Sequence, residues 1–81
     1  MNETYEKVIE IIQELIGKRD IEIKEDTRFF EDLGFDSILT MQLLVEAEES
    51  FGFDSEDSEE SLQAFETVGK FVEFIEKNRR K

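Results

Sequence analysis

Cysteine, histidine, proline and tryptophan are all absent from this chain of 81 residues. Without cysteine there is neither a disulfide nor a protein thiol, and without histidine there is no imidazole base. Zinc sites built from those residues, and any Ser-His or Cys-His nucleophile pair, are therefore excluded. Positive charge is scarce as well: ten Lys and Arg face 22 Asp and Glu, giving a net charge of −12. So negative a surface repels nucleic acid and anionic membranes and favours protein partners with basic docking surfaces. No run approaches the roughly 18 consecutive apolar residues that span a bilayer. The start, Met1-Asn2-Glu3-Thr4, has no basic region followed by an apolar stretch, so no secretion signal is read and a cytoplasmic protein is expected. A chain of this length buries only about 60 to 65% of its unfolded surface. That implies one domain over residues 1–81 and too little material for a large active-site cleft, and a monomer is expected. Catalysis by the polypeptide itself is therefore not expected.

What the chain does have is helical periodicity. Tyr5, Val8, Ile9, Ile12, Leu15 and Ile16 recur at intervals of three and four residues, the pattern of a helix with one buried face, and Gly17 closes it. From Asp20 to Phe35 the period is lost, but Ile21, Ile23, Phe29, Phe30, Leu33 and Phe35 supply apolar anchors, so the segment reads as a long ordered loop. A second helix is expected from about Asp36 to Phe51, with Thr40, Leu43, Leu44, Ala47 and Phe51 on its core stripe. Asp54 to Glu60 reads as a solvated acidic linker. It fails the calcium-loop pattern, because the sixth and twelfth positions from Asp54 are Glu59 and Phe65 where Gly and Glu are needed, and no metal site is expected. A short helical turn with Leu62 and Phe65 follows. Thr67 then caps a last helix with Val68, Phe71, Val72 and Ile75 on its buried face and Lys77, Arg79, Arg80 and Lys81 near its negative end. The fold class is all-α: a small bundle of three to four helices with a long first loop and a short third helix.

The densest signal lies where the long loop meets the second helix. In Asp32-Leu33-Gly34-Phe35-Asp36-Ser37-Ile38, Asp36 is placed to cap the helix, its carboxylate accepting from free N–H groups of the first turn. Ser37 then sits exposed in that turn, where orphan N–H groups and the positive end of the helix dipole favour an anionic substituent such as a phosphoryl group. The helix that follows is apolar on more than one side. Ile38, Leu39, Met41 and Val45 lie off the core stripe and, fringed by Gln42, Glu46, Glu48 and Glu49, read as a partner-facing strip.

The segment from Thr27 to Ile38, together with Leu43-Leu44 and Glu48-Glu49-Ser50-Phe51-Gly52-Phe53, resembles the acyl carrier protein family in its discrete bacterial type, and the resemblance covers nearly the whole chain. Its specificity comes from the compound pattern: a Gly ahead of the Asp-Ser pair, an amphipathic helix of the right length after it, and an acidic pair just before Phe51. The resemblance implies that Ser37 carries 4'-phosphopantetheine from coenzyme A, with Asp36 as the helix cap beside it. It further implies acyl intermediates held as thioesters in fatty-acid or specialised lipid or polyketide biosynthesis. The implied partners are a phosphopantetheinyl transferase and acyl-transferring and acyl-processing enzymes that dock on the second helix. Where carriers in fatty-acid synthesis typically have acidic residues, this chain has Leu39 and Gln42, which brings the segment closer to carriers of specialised pathways. Among the eight Phe residues, Phe51, Phe65 and Phe71, with Phe35 or Phe74, are expected to fill the core. The alternative is an acidic helical adaptor that binds a basic partner non-covalently and uses Ser37 for nothing.

Overall fold

A computed structural model describes residues 3–53 and 62–79. Three helices frame it: α1, Glu3–Ile16; α2, Ser37–Phe51; and α3, Val68–Asn78. Residues 62–64 add a short helical turn ahead of α3. The expected acidic linker and the basic residues Arg80 and Lys81 lie outside the described residues.

α1 is strongly amphipathic, with Glu3 and Glu6 in its first turn, where negative charge complements the dipole. Its buried face is Thr4, Tyr5, Val8, Ile11 and Ile12, while Ile9, Leu15 and Ile16 are only partly buried. The inward face is thus rotated toward Ile11 from the stripe expected of the sequence. α1 packs against both α2 and α3. α3 turns Val68, Phe71, Val72, Phe74 and Ile75 inward, adding Phe74 to the expected set.

The long loop is ordered by its own anchors, as its composition predicts, but it does not use all of them. Ile23, Phe29 and Phe35 are buried and Ile21 and Leu33 half-buried, whereas Phe30 is 54% exposed. A local closure decides this. The Arg28 N–H donates to the Asp32 carboxylate at 2.9 Å, and the Asp32 and Leu33 N–H groups both return to the Arg28 carbonyl. That turn sends Phe29 inward and leaves Phe30 outside.

The loop is also sewn to the start of α3. Val68 N–H donates to Thr27 O at 2.9 Å, Gly69 N–H donates to Glu25 O at 2.8 Å, and Arg28 and Thr67 form an isolated antiparallel bridge. A Cβ on Gly69 would lie 3.0 Å from the Glu25 carbonyl oxygen, so this close approach favours glycine. At the far end of α3, Arg79 donates to the Thr4 hydroxyl at 2.9 Å and holds its guanidinium 5.2 Å from the Phe51 ring centroid. Arg79 therefore joins the start of α1, the end of α2 and the end of α3, a larger part than the dipole compensation expected of it.

The centre of the core is a loop residue. Phe29 is fully buried and meets Phe35, Phe65 and Phe71 edge to face, with ring centroids 5.2, 5.5 and 5.8 Å away. Phe65 and Phe71 stack at 4.8 Å, and Phe74 continues the set to Phe53. Phe51, expected inside, is half-buried at the rim beneath Arg79.

Candidate functional site

The site is assembled at the junction between the loop and α2. The Phe35 N–H returns to the Phe29 carbonyl at 2.9 Å, closing a turn in which Gly34 takes φ +70°. That left-handed conformation is strained for a side chain bearing Cβ, so glycine is the residue suited to the reversal. The turn delivers Asp36 to the N-cap in extended conformation. Its carboxylate accepts from the Leu39 N–H at 2.8 Å, while its carbonyl accepts from the Thr40 N–H at 3.0 Å and the Thr40 hydroxyl at 2.8 Å. The cap is as the sequence predicts, and the helix begins one residue after it.

Ser37 is the first helical residue and is exposed. The N–H groups of Ser37 and Ile38 have no acceptor available within the helix. Beyond the Asp36 cap, the first turn contains no acidic side chain. The place therefore offers a reachable hydroxyl, undirected N–H donors and the positive end of the dipole, with only the cap carboxylate opposing a negative group. A phosphodiester on Ser37 fits these donors.

Of the residues expected to face a partner, Ile38 and Met41 are each 68% exposed and Val45 49%. Gln42, Glu46 and Glu49 are exposed beside them. Leu39 departs from the expectation: it is half-buried and packs against the core, which accounts for an apolar residue at that position. Glu48 is half-buried as well. The sequence reading missed the exposed Phe30 and Leu62. Phe30 had no signal of its own, since it adjoins an equally apolar residue that goes inward.

No helix among the described residues is long and apolar enough to cross a membrane. Among the described residues no group of acidic side chains could hold a metal ion.

The family model described as "Phosphopantetheine attachment site" matches residues 6–75. The chain is 42% identical over 78 residues to an acyl carrier protein of Borreliella burgdorferi strain ZS7, covering 96% of this chain and 95% of that one. It has the same identity and coverage against an acyl carrier protein of Borrelia garinii subsp. bavariensis. Among solved structures, the solution structure of the apo doublet acyl carrier protein from prodigiosin biosynthesis superposes with a TM-score of 0.68 at 20% identity. This chain is covered fully in that match but spans only 40% of the doublet. Family model and near full-length relatives agree with the fold: the chain belongs to the acyl carrier protein family, a carrier rather than a catalyst, bearing acyl groups on a 4'-phosphopantetheine arm.

Proposed function

We propose that Ser37 is the attachment residue and that partner enzymes dock on the exposed face of α2 formed by Ile38, Met41 and Val45 with Gln42 and Glu49. One observation carries the first part: Ser37 is the exposed first residue of a capped helix whose opening turn brings no acidic side chain of its own. In loading, the Ser37 Oγ attacks a phosphorus of the coenzyme A pyrophosphate. An Oγ–P bond forms, the P–O bond of the pyrophosphate breaks, the hydroxyl proton passes to the transferase, and the nucleotide half of coenzyme A departs. The arm then supplies a terminal thiol, the group this cysteine-free chain lacks.

The docking face is supported by three large apolar side chains left in solvent on one helix and by the charge of −12 around them. An apolar centre with a charged fringe suits weak, fast encounters that are steered electrostatically and screened by salt. Tethering a cargo to such a surface raises its concentration at a docked enzyme to about the millimolar range. Residues 1–81 then act as one monomeric carrier domain in the cytoplasm.

The test is intact mass after incubation with coenzyme A, magnesium and a broad-specificity phosphopantetheinyl transferase. A phosphopantetheine-sized gain in the wild type and none in Ser37→Ala is the expected result. A gain that persists in Ser37→Ala would place the arm elsewhere, and no gain with several transferases would return the adaptor reading.

A further inference from the structure

Asp32 is exposed and, in a chain with 22 acidic residues, passes for one more surface charge. Its carboxylate is nonetheless committed. Oδ2 accepts from the Arg28 N–H at 2.9 Å, while the N–H groups of Asp32 and Leu33 return to the Arg28 carbonyl at 3.0 and 3.1 Å. Glu31, the other acidic residue of the turn, receives the Arg28 guanidinium. Arg28 is thus held at both backbone groups and at its side chain by Glu31, Asp32 and Leu33.

What this turn joins gives it weight. Upstream, the Thr27 carbonyl accepts from the Val68 N–H at 2.9 Å and the Thr27 hydroxyl from the Lys24 N–H at 2.8 Å, so residue 27 is fixed to the start of α3. Downstream, the Phe35 N–H donates to the Phe29 carbonyl at 2.9 Å, and Asp36 follows as the cap of α2. α1 packs against α2 and against α3, which make no comparable contact with each other. The start of the serine helix is therefore located relative to the start of α3 by the backbone of residues 27–36, and Asp32 supplies the side-chain acceptor that closes this run.

We infer that Asp32 is a positioning residue for the loading of Ser37: its carboxylate oxygen closes the turn that sets where the helix presents the serine hydroxyl. This rests on Ser37 being the attachment residue, and the test separates the two. Because the bond lies at the surface, water replaces it when the side chain is cut back, and the fold keeps most of its stability. The reacting hydroxyl is less forgiving, since a displacement of about 1 Å can cost on the order of 100-fold in rate. Docking on Ile38, Met41 and Val45 is untouched, so the loss falls on turnover.

The test follows loading by intact mass with coenzyme A, magnesium and a broad-specificity phosphopantetheinyl transferase. It yields kcat and KM for the wild type, Asp32→Asn, Asp32→Ala and Asp32→Glu, with Tm and deuterium exchange of the Arg28 amide measured beside them. Asparagine keeps an oxygen at the same reach without the charge, whereas glutamate keeps the charge and moves it by a methylene. Asp32→Ala and Asp32→Glu are expected to lose roughly 10-fold in kcat at unchanged KM, with a faster-exchanging Arg28 amide, and Asp32→Asn to stay within about two-fold of the wild type. Should alanine fail to fold, glutamate carries the comparison. Alanine and glutamate variants with the kcat of the wild type overturn the inference. Asparagine as slow as alanine overturns it as well, and so does a rise in KM shared by those two, which would make Asp32 a docking charge. A wild type that gains no mass, or a gain that persists in Ser37→Ala, defeats the attachment reading instead.

Discussion

Replacing Asp36 tests the geometry beneath the candidate site. Its carboxylate accepts from the Leu39 N–H at 2.8 Å from an exposed N-cap position. Loss of such a cap to alanine costs about 1 kcal/mol, within a range of roughly 0.5 to 2. The charge adds a separable part, about 0.3 to 1 kcal/mol for an anion at the positive end of a helix. Asp36→Asn keeps the acceptor oxygen and loses only the charge, so the two variants divide the effect. For a domain of this size 1 kcal/mol moves Tm by about 4 to 8 °C. Asp36→Ala is expected to melt about 5 to 10 °C below the wild type and Asp36→Asn only a few degrees below, followed by far-UV circular dichroism at neutral pH and low salt. In about 1 M salt, where the Debye length falls to about 3 Å, the gap between wild type and Asp36→Asn should close. The gap between the asparagine and alanine variants should remain. An alanine variant as stable as the wild type would mean that the cap contributes nothing. An asparagine variant as damaged as alanine in high salt would mean that the acceptor oxygen is not what stabilises the helix.

Gly69→Ala sets a helix-propensity gain of about 1 kcal/mol against overpacking of about 1 to 3 kcal/mol. The Glu25 carbonyl, 3.0 Å from the new Cβ, cannot retreat without stretching its bond from the Gly69 N–H, so a lower Tm is expected and a higher one would show that the loop yields freely. Burial, and then the charges of Glu25 and Asp26, hold the Tyr5 phenol above its ordinary pKa. The folded state thus favours the neutral phenol: its contribution is complete below the ordinary value of about 10 and is lost as pH rises through the raised one. Stability measured against pH should fall in the wild type above about pH 10 and fall less in Tyr5→Phe, and parallel profiles would remove Tyr5 as the cause. Met41→Glu should leave Tm unchanged and slow acyl transfer by partner enzymes. Undiminished transfer would move the docking face off α2.

The parts of this molecule legible in its sequence are those fixed by local chemistry. The Asp36 cap, the exposed Ser37 after it, the Thr67 cap and the stripe of α3 each follow from residues within a turn or two of one another. Ile38, Met41 and Val45 were readable as exposed because the opposite side of α2 already held a sufficient core face. What could not be read depends on contacts distant in the chain. Phe29 and Phe30 are identical neighbours, and only the Arg28 to Asp32 closure and the bond from Val68 to Thr27 decide which points inward. Leu39 looked solvent-facing by helical phase alone, yet it packs on the core. Phe51 reads as core by spacing, yet it is only half-buried at the rim, with Arg79, far along the chain, over its ring.

The contact between Thr4 and Arg79 also bears on how this domain can be handled and joined. It draws the two ends of the described chain to within a hydrogen bond of each other, at the end of α2 marked by Phe51. Ser37 stands at the opposite end of a 15-residue helix, about 21 Å away at 1.5 Å per residue. A tag, a tether or a second domain that departs from beside Thr4 or Arg79 starts at the pole facing away from the serine, so its volume there does not compete with an enzyme approaching the arm. Tandem arrangement of such domains is therefore sterically compatible with each keeping its own working face.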